Sequence, residues 1–335
     1  MKVSIFDVAQ KSGLSVVTVS RVINNAPSVR QANREKVLQA MRELNYQPNA
    51  SARSLARGKT GVIGLTIMTL HDSFLDSVVK EVNDLLAAHG YFLALSISNR
   101  YDDAFHRSLF QEDRVDGVIL LSPVDENEYV MELKKKKIPF ILIDNSRSHP
   151  SLSSVVVDNF KGGYEATKHL IDLGHTKIAH ISGSQSFLSS RDRERGYLQA
   201  LEEADLQPYA VERGTFEINT GYRFTKQWID AGKLPSAVFA GDDYIAIGVM
   251  DACKKEGIRI PSDISIVGFD DQHLATQFTP ALTTVRQPAG RIASAAVELL
   301  LDAMNDPGRR SATIQLEPEL IVRDSTAPVT ATRQR

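Results

Sequence analysis

The sequence predicts a small all-α head followed by an α/β core of two doubly wound, parallel-sheet lobes, and three observations carry that prediction. Residues 1–45 show only the apolar spacing of helices, a proline-marked linker begins at Pro48, and from Gly61 buried-type strands alternate with helical stretches in two successive series. At 335 residues the chain exceeds what one core usually serves, and with 42% of its residues apolar it can fill more than one.

In the head, Ser4 with Asp7 three residues on makes a capping box that opens a helix through Lys11, with Ile5, Val8 and Ala9 on one face. Gly13 breaks it in the turn GLS. Ser15 with Thr18 caps a second helix to about Asn24, whose Val19, Val22 and Ile23 face inward. After NNAPSV, Ser28 with Gln31 caps a third helix through Leu44, with Val37, Met41 and Leu44 at core spacing. Two short helices joined by a tight glycine-containing turn, backed by a third, describe a helix-turn-helix over residues 1–47. Residues 48–59 are a linker in which Pro48 stops the third helix, Asn49 is a good cap and ASARSLARG favours helix until Gly58. A helix of about nine residues does not persist alone in water, so it orders only against a duplex and a second copy.

The core occupies 60–335. Strands are expected at GVIGLTI, FLALSIS, GVILLS, PFILID and SVVVD, then at KIAHISG, AVFAG, SIVGFD and LTTV. One lobe is assigned about 60–158 and 288–317, the other about 159–287 and 318–325. Parallel sheets of this kind take ligands at the carboxyl ends of their strands.

Charge separates the two parts. Residues 1–59 carry ten Lys/Arg against three acids, while the remainder carries 29 basic against 38 acidic groups. A basic head on an acidic body fits a head that alone meets a polyanion. Cys253, the one cysteine, has no partner for an internal bridge and reads as a packed thiol in a reducing cytoplasm. The segment MKVSIFDVAQKSG lacks the apolar centre of a signal peptide and no run of 18 apolar residues occurs, so export and a membrane partner are disfavoured. No nucleophile elbow, Walker loop, GxGxxG or paired metal ligands appear, and the eight histidines are scattered; no catalytic residue, metal or cofactor is assigned. KKKK at 134–137 reads as a solvated helix end, and STAPVTATRQR at 325–335 has no leucine heptad for higher assembly.

The segments IFDVAQKSGLSVVTVSRVIN and REKVLQAMRELNYQPNASARSLA together resemble the head and hinge of the lactose-repressor family of bacterial regulators. DNFKGGYEATKHLIDLGH, RDRERGY, GDDYIAIG, IPSDISIVGFDD and PALTTVRQP extend the resemblance, more loosely, over nearly the whole chain. It implies a helix-turn-helix head, a hinge helix and a core like periplasmic sugar-binding proteins, with the chain crossing between lobes three times.

Physically, the second helix places Val16, Val17 and Arg21 on the face that enters a major groove, positions to which the resemblance assigns base reading. Arginine donates twice to guanine, worth about 1–3 kcal/mol of discrimination, whereas the valines only pack against bases and thymine methyls. The alternative is that Val16 and Val17 are core. Thr18, Ser20 and Asn24 suit phosphates or are solvated helix residues. The resemblance gives Leu55 the role of a minor-groove wedge, with Asn49 and Ala52 beside it; docking on the core is the competing reading. In the core, the resemblance puts a ligand arginine at Arg193, with Arg191 and Arg195 as competitors. Asp242 and Asp270 end strands, where carboxylates accept from sugar hydroxyls. Phe74 and Phe216 match stacking aromatics, Asp158 a less certain polar position. The family usually has Asn at the place of Asp242, which favours a ligand rich in hydroxyls or carrying positive charge.

The expected protein is therefore a DNA-binding transcriptional regulator, a homodimer on a near-palindromic double-stranded operator, allosterically switched by a small sugar-like effector. The alternatives are control by a phosphoprotein partner or a purine, and, further off, a sugar-binding protein or an enzyme.

Overall fold

The computed structural model describes residues 3–24, 26–47, 59–70, 73–97, 114–123, 126–144, 152–306 and 308–329. Residues 1–61 form one compact unit and 62–335 a second.

The head contains α1 (Ile5–Ser12), α2 (Val16–Ile23) and α3 (Gln31–Glu43). The capping box forms as expected: Asp7 Oδ2 accepts from the Ser4 backbone N–H at 2.8 Å and from its hydroxyl at 2.7 Å. Gly13 ends α1 at φ +69°, a left-handed position that glycine occupies without strain. Ser15 Oγ accepts from the Thr18 N–H and starts α2. The third start differs from expectation: Ser28 lies in the preceding turn, Arg30 is the N-cap and its side chain makes no cap bond. Val8, Ala9, Val19, Val22, Val37 and Ala40 form the buried core, ringed by Ile5, Leu14, Ile23, Met41, Leu44 and Tyr46. The hinge helix lies outside the described residues.

The core unit holds two six-stranded sheets with helices against their faces. In lobe 1 the strands are β1 (Val62–Ile67), β2 (Phe92–Ile97), β3 (Gly117–Leu121), β4 (Phe140–Ile143), β5 (Ser154–Val157) and β11 (Thr313–Leu316), ordered β11-β5-β4-β3-β1-β2 and all parallel. Its helices are α4 (Ser73–Ala88), α5 (Glu126–Lys136) and α10 (Ala289–Asn305). In lobe 2, β6 (Ile178–Ser182), β7 (Ala210–Arg213), β8 (Ala237–Ala240), β9 (Ser265–Asp270), β10 (Thr283–Arg286) and β12 (Glu319–Ile321) run in the order β12-β10-β9-β8-β6-β7. Its helices are α6 (Asn159–Asp172), α7 (Leu188–Glu203), α8 (Ile218–Asp230) and α9 (Asp243–Lys255). The chain passes between sheets after β5, after β10 and between β11 and β12. Central strands such as β3 and β6 are buried throughout, as sheets covered on both faces require.

The expectation of purely parallel sheets is corrected at one edge, where β12 pairs antiparallel with β10. β7, β11 and β12 were not anticipated; AVER, TIQL and ELI are short, partly exposed edge segments without an apolar run. Cys253 is packed in the lobe 2 core, and burial pushes its thiol up to about 12. No described helix is long and apolar enough to cross a membrane.

Candidate ligand cavity and nucleic-acid interface

On α2, Val17 is 61% exposed and Arg21 is exposed four residues on, so the two share one face of the helix. Val16 is half-buried and packs against the head core, so its side chain belongs partly to the interior reading. The Thr18 hydroxyl is 2.9 Å from that of Ser15, and Asn24 Nδ2 reaches Ser20 Oγ at 3.5 Å; all three α2 polar positions are partly covered. Phe6, on α1, is 69% exposed and had no role in the sequence reading. A large aromatic in solvent is the signal that would have marked it. Asn49, Ala52 and Leu55 lie outside the described residues.

In the core unit a cavity of about 680 Å³ lies between the lobes, lined from lobe 1 by Met68, Phe74, Leu75, Ser122 and Asp144 and from lobe 2 by Phe187, Ser189, Arg193, Phe216, Asp242 and Asp270. Five of the six expected effector residues thus line one cavity.

Arg193 projects from α7, and its position depends on close helix packing. A Cβ at Gly163 on α6 would overlap the Arg193 carbonyl, and one at Gly196 would overlap that of Phe160. The Arg193 guanidinium, 4% exposed, donates from Nε to Asn159 Oδ1 at 2.9 Å and from Nη1 to the Gly241 carbonyl at 2.6 Å. Nη2 stands 3.2 Å from Asp270 Oδ1, and the plane lies 3.6 Å above the Phe269 ring. Burying the cation is sustained by this complete set of partners.

Asp270 ends β9 with φ +104°, a conformation costly for a residue with a Cβ, and its Oδ1 accepts from Gln287 Nε2 at 2.6 Å. Gln287 follows β10, where the chain leaves lobe 2. Asp242 is the N-cap of α9 and accepts from the Ile245 N–H at 2.7 Å. Phe187 and Phe216 stand 5.9 Å apart, their planes tilted by 49°.

Asp144, which the sequence reading missed, follows β4 at φ +50° and faces the opposite lobe. Its Oδ2 accepts from Ser122 at 3.0 Å and from Ser189 of lobe 2 at 3.5 Å. Burial holds its carboxyl above the usual range, Arg193 opposes this and Asp270 adds to it. The carboxylate at the end of PFILID was the available signal, since it occupies a strand terminus like those of Asp242 and Asp270. Asp158 is corrected: it does not line the cavity but caps α6, accepting from the Lys161 N–H at 2.8 Å and from Gln315 Nε2 at 2.7 Å. Beneath the cavity, fully buried Asp243 accepts from Thr284 at 2.5 Å and from the Gln272 N–H at 2.7 Å, and burial pushes its carboxyl well up.

Residues 4–49 match the model of bacterial regulatory proteins of the lacI family, and residues 167–326 match the periplasmic binding protein-like domain. The chain is 34% identical over 332 residues to catabolite control protein A of Priestia megaterium, covering 97% of this chain and 100% of that protein. It belongs to the lacI family of bacterial regulatory proteins. It is 36% identical over 330 residues to the HTH-type transcriptional repressor PurR of Erwinia tasmaniensis, covering 97% of each. The lac repressor dimer, solved bound to operator and the anti-inducer ONPF, superposes with a TM-score of 0.88 at 30% identity, over 98% of this chain and 100% of that one. The fold expectation is met on both counts, a helical head and two sheet lobes, and the chain is a transcriptional regulator of this family.

Proposed function

We propose that this chain binds a near-palindromic operator as a homodimer in the cytoplasm and is switched by a small, hydroxyl-rich, sugar-like effector held in the cavity between the lobes. One observation carries the reading: a single chain joins a helix-turn-helix head, with Val17 and Arg21 exposed on one face of α2, to a two-lobed core enclosing a cavity of about 680 Å³. The relative solved with operator and anti-inducer supports the same pairing of sites.

In this reading Arg21 donates to a guanine edge and Val17 packs on a base or thymine methyl, Thr18, Ser20 and Asn24 hold phosphates, and Leu55, with Asn49 and Ala52, enters the minor groove. Val16 contributes what its half-buried side chain leaves accessible. A half-site read by one short helix binds weakly, so two copies act together. The edge strand β2 supports a paired form: Leu95 is 38% exposed and Ile97 47% on one of its faces, an apolar row that a second copy covers.

At the cavity, aspartates accept from ligand hydroxyls while Phe74, Phe187 and Phe216 supply apolar faces. Asp144 and Ser189 approach from opposite lobes, so a ligand seated between them biases the interlobe angle, a coupling typically worth about 1–3 kcal/mol. The role is binding and not catalysis.

The test is selection of duplexes from a random pool by the full-length protein, followed by gel shift with and without a metabolite panel. We expect a palindromic consensus, a shift in affinity with one metabolite class, and a loss of about tenfold or more on the selected duplex for Arg21→Ala, with a smaller loss on random DNA. No preference for any sequence over random competitor, across the whole panel, overturns the reading.

A further inference from the structure

We infer that the cavity selects by charge: it takes a hydroxyl-rich effector without negative charge and rejects the phosphorylated or carboxylated form of the same molecule, with Asp242 a residue that sets this choice. The inference rests on the effector reading above and narrows it.

A helix amino end is the usual receptor for an anion, because its first N–H groups and its dipole face outward. Three lobe 2 helices begin at this cavity, and a carboxylate stands near the start of each. Asp242 caps α9 and takes the Ile245 N–H on its own Oδ1. Glu217 is the N-cap residue of α8 and lines the cavity; its side chain makes no cap bond, but it places a further acid beside that helix start. The first turn of α7 presents Ser189 to the Asp144 carboxylate. A phosphate approaching these positive ends thus meets acids of the protein beside them, and at α9 the acid already holds an end N–H.

The cation of the cavity is already balanced by the protein. Arg193 directs Nε to Asn159, Nη1 to the Gly241 carbonyl and Nη2 to Asp270, so its charge is paired with Asp270 in the lobe 2 wall and two of its five N–H groups are left to meet a ligand. Around it stand Asp144, Asp242, Asp270 and Glu217, four carboxylates against one lining guanidinium. Carboxylates accept from paired hydroxyls or from an ammonium, and have nothing to offer a phosphate oxygen except repulsion. Both strand-end aspartates, Asp144 and Asp270, hold left-handed backbone to reach the cavity, a cost that a merely solvated acid would not require.

The experiment is titration calorimetry on the full-length protein with matched pairs, each neutral mono- or disaccharide beside its phosphate ester and its uronic acid, on wild type and on Asp242→Asn. Asparagine keeps the helix cap, and a melting curve confirms that the variant folds. We expect one neutral member to bind at least about 100-fold more tightly than its anionic partners, and the gap to shrink about tenfold in Asp242→Asn. A phosphate ester that binds as well as or better than its neutral partner, or a gap unchanged in the variant, overturns the charge inference and leaves the effector reading standing. Silence of every pair in both proteins removes the sugar-like effector reading itself, and the inference with it.

Discussion

The two lobes share a six-stranded plan, yet among the described residues lobe 2 ties many of its polar groups to one another while lobe 1 shows an exposed apolar edge strand. In lobe 2, Asp271 pairs with Arg286 at 2.7 Å and Arg323 at 2.5 Å, Asp243 with Thr284, and Arg193 with three partners. The segment after β12 is bound down too: Ser325 Oγ donates to the Ile266 carbonyl, the Ala327 N–H to Ser265 and the Val329 N–H to the Leu173 carbonyl. Lobe 1 brings Met68, Phe74 and Leu75 to the cavity with Asp144 as its one lining carboxylate among the described residues, against Glu217, Asp242 and Asp270 from lobe 2, and exposes Phe92, Leu95 and Ile97 on its edge strand. The difference teaches a division of labour in degree: lobe 2 supplies most of the charge that chooses the ligand, and lobe 1 shares the apolar lining and offers apolar surface to a partner.

The strongest way to break this comparison is Arg193→Met. Removing the guanidinium leaves Asn159 Oδ1 and the Gly241 carbonyl buried without this donor, and Asp270 without its charge partner though still bonded to Gln287. Breaking a buried pair in this manner costs about 3–5 kcal/mol, so denaturant unfolding should show that loss together with a loss of effector response. A variant as stable as wild type would mean that Arg193 does not organise lobe 2.

Acid sharpens the comparison next. His180 is fully buried between Tyr197 and Phe239, its Nδ1 2.8 Å from the Phe239 carbonyl, and burial lowers its pKa to about 4. The unfolded chain, with an ordinary histidine near 6.5, binds the proton first, so this group costs stability as pH falls from about 6.5 toward about 4. Asp144 and Asp243, held high by burial, act in the opposite sense, and a difference measurement removes them. Between pH 7.5 and 5 the stability of His180→Phe relative to wild type should move by about 2 kcal/mol in the variant's favour. A difference that stays constant across that range would show that His180 takes up its proton as readily in the fold as in the unfolded chain.

The edge strand gives a smaller, concentration-dependent effect. Ile97→Asp places a charge in the exposed row of β2, and sedimentation should report a dimer dissociation constant raised about tenfold. An unchanged constant would move the partner surface away from lobe 1.

How much of this was legible beforehand follows physical range. The helix-turn-helix could be read because its signals are local: Ser4 with Asp7, Gly13 and Ser15 with Thr18 each act within four residues. The nine expected strands are apolar runs, readable from composition even at the exposed edge strand β2, whereas β7, β11 and β12 are edges without such a run, whose pairing makes them strands. Ser28 offered a plausible cap, but the chain starts α3 two residues later, and cap residues compete over just such distances. Asp242 and Asp270 could be placed by their strand ends. Asp144 was missed because its role depends on Ser189 from the other lobe, and Asp158 was overread because a carboxylate at a strand end also serves as a helix cap.

The finest test separates affinity from selectivity. Phe74 lines the cavity from lobe 1 and packs against that lobe's core, so Phe74→Leu keeps the apolar bulk and removes the flat ring face. Apolar contact without a charged partner adjusts how tightly any ligand is held and is indifferent to the sign of its charge, whereas the aspartates of lobe 2 are not. With the neutral sugar that binds most tightly to wild type, the affinity of Phe74→Leu should fall only about three- to fivefold, within the range of a single lost ring contact of about 1 kcal/mol. Its discrimination against the phosphate ester should remain that of wild type. If discrimination collapsed together with affinity, selectivity would belong to the closed shape of both lobes, and the division drawn between them would fail.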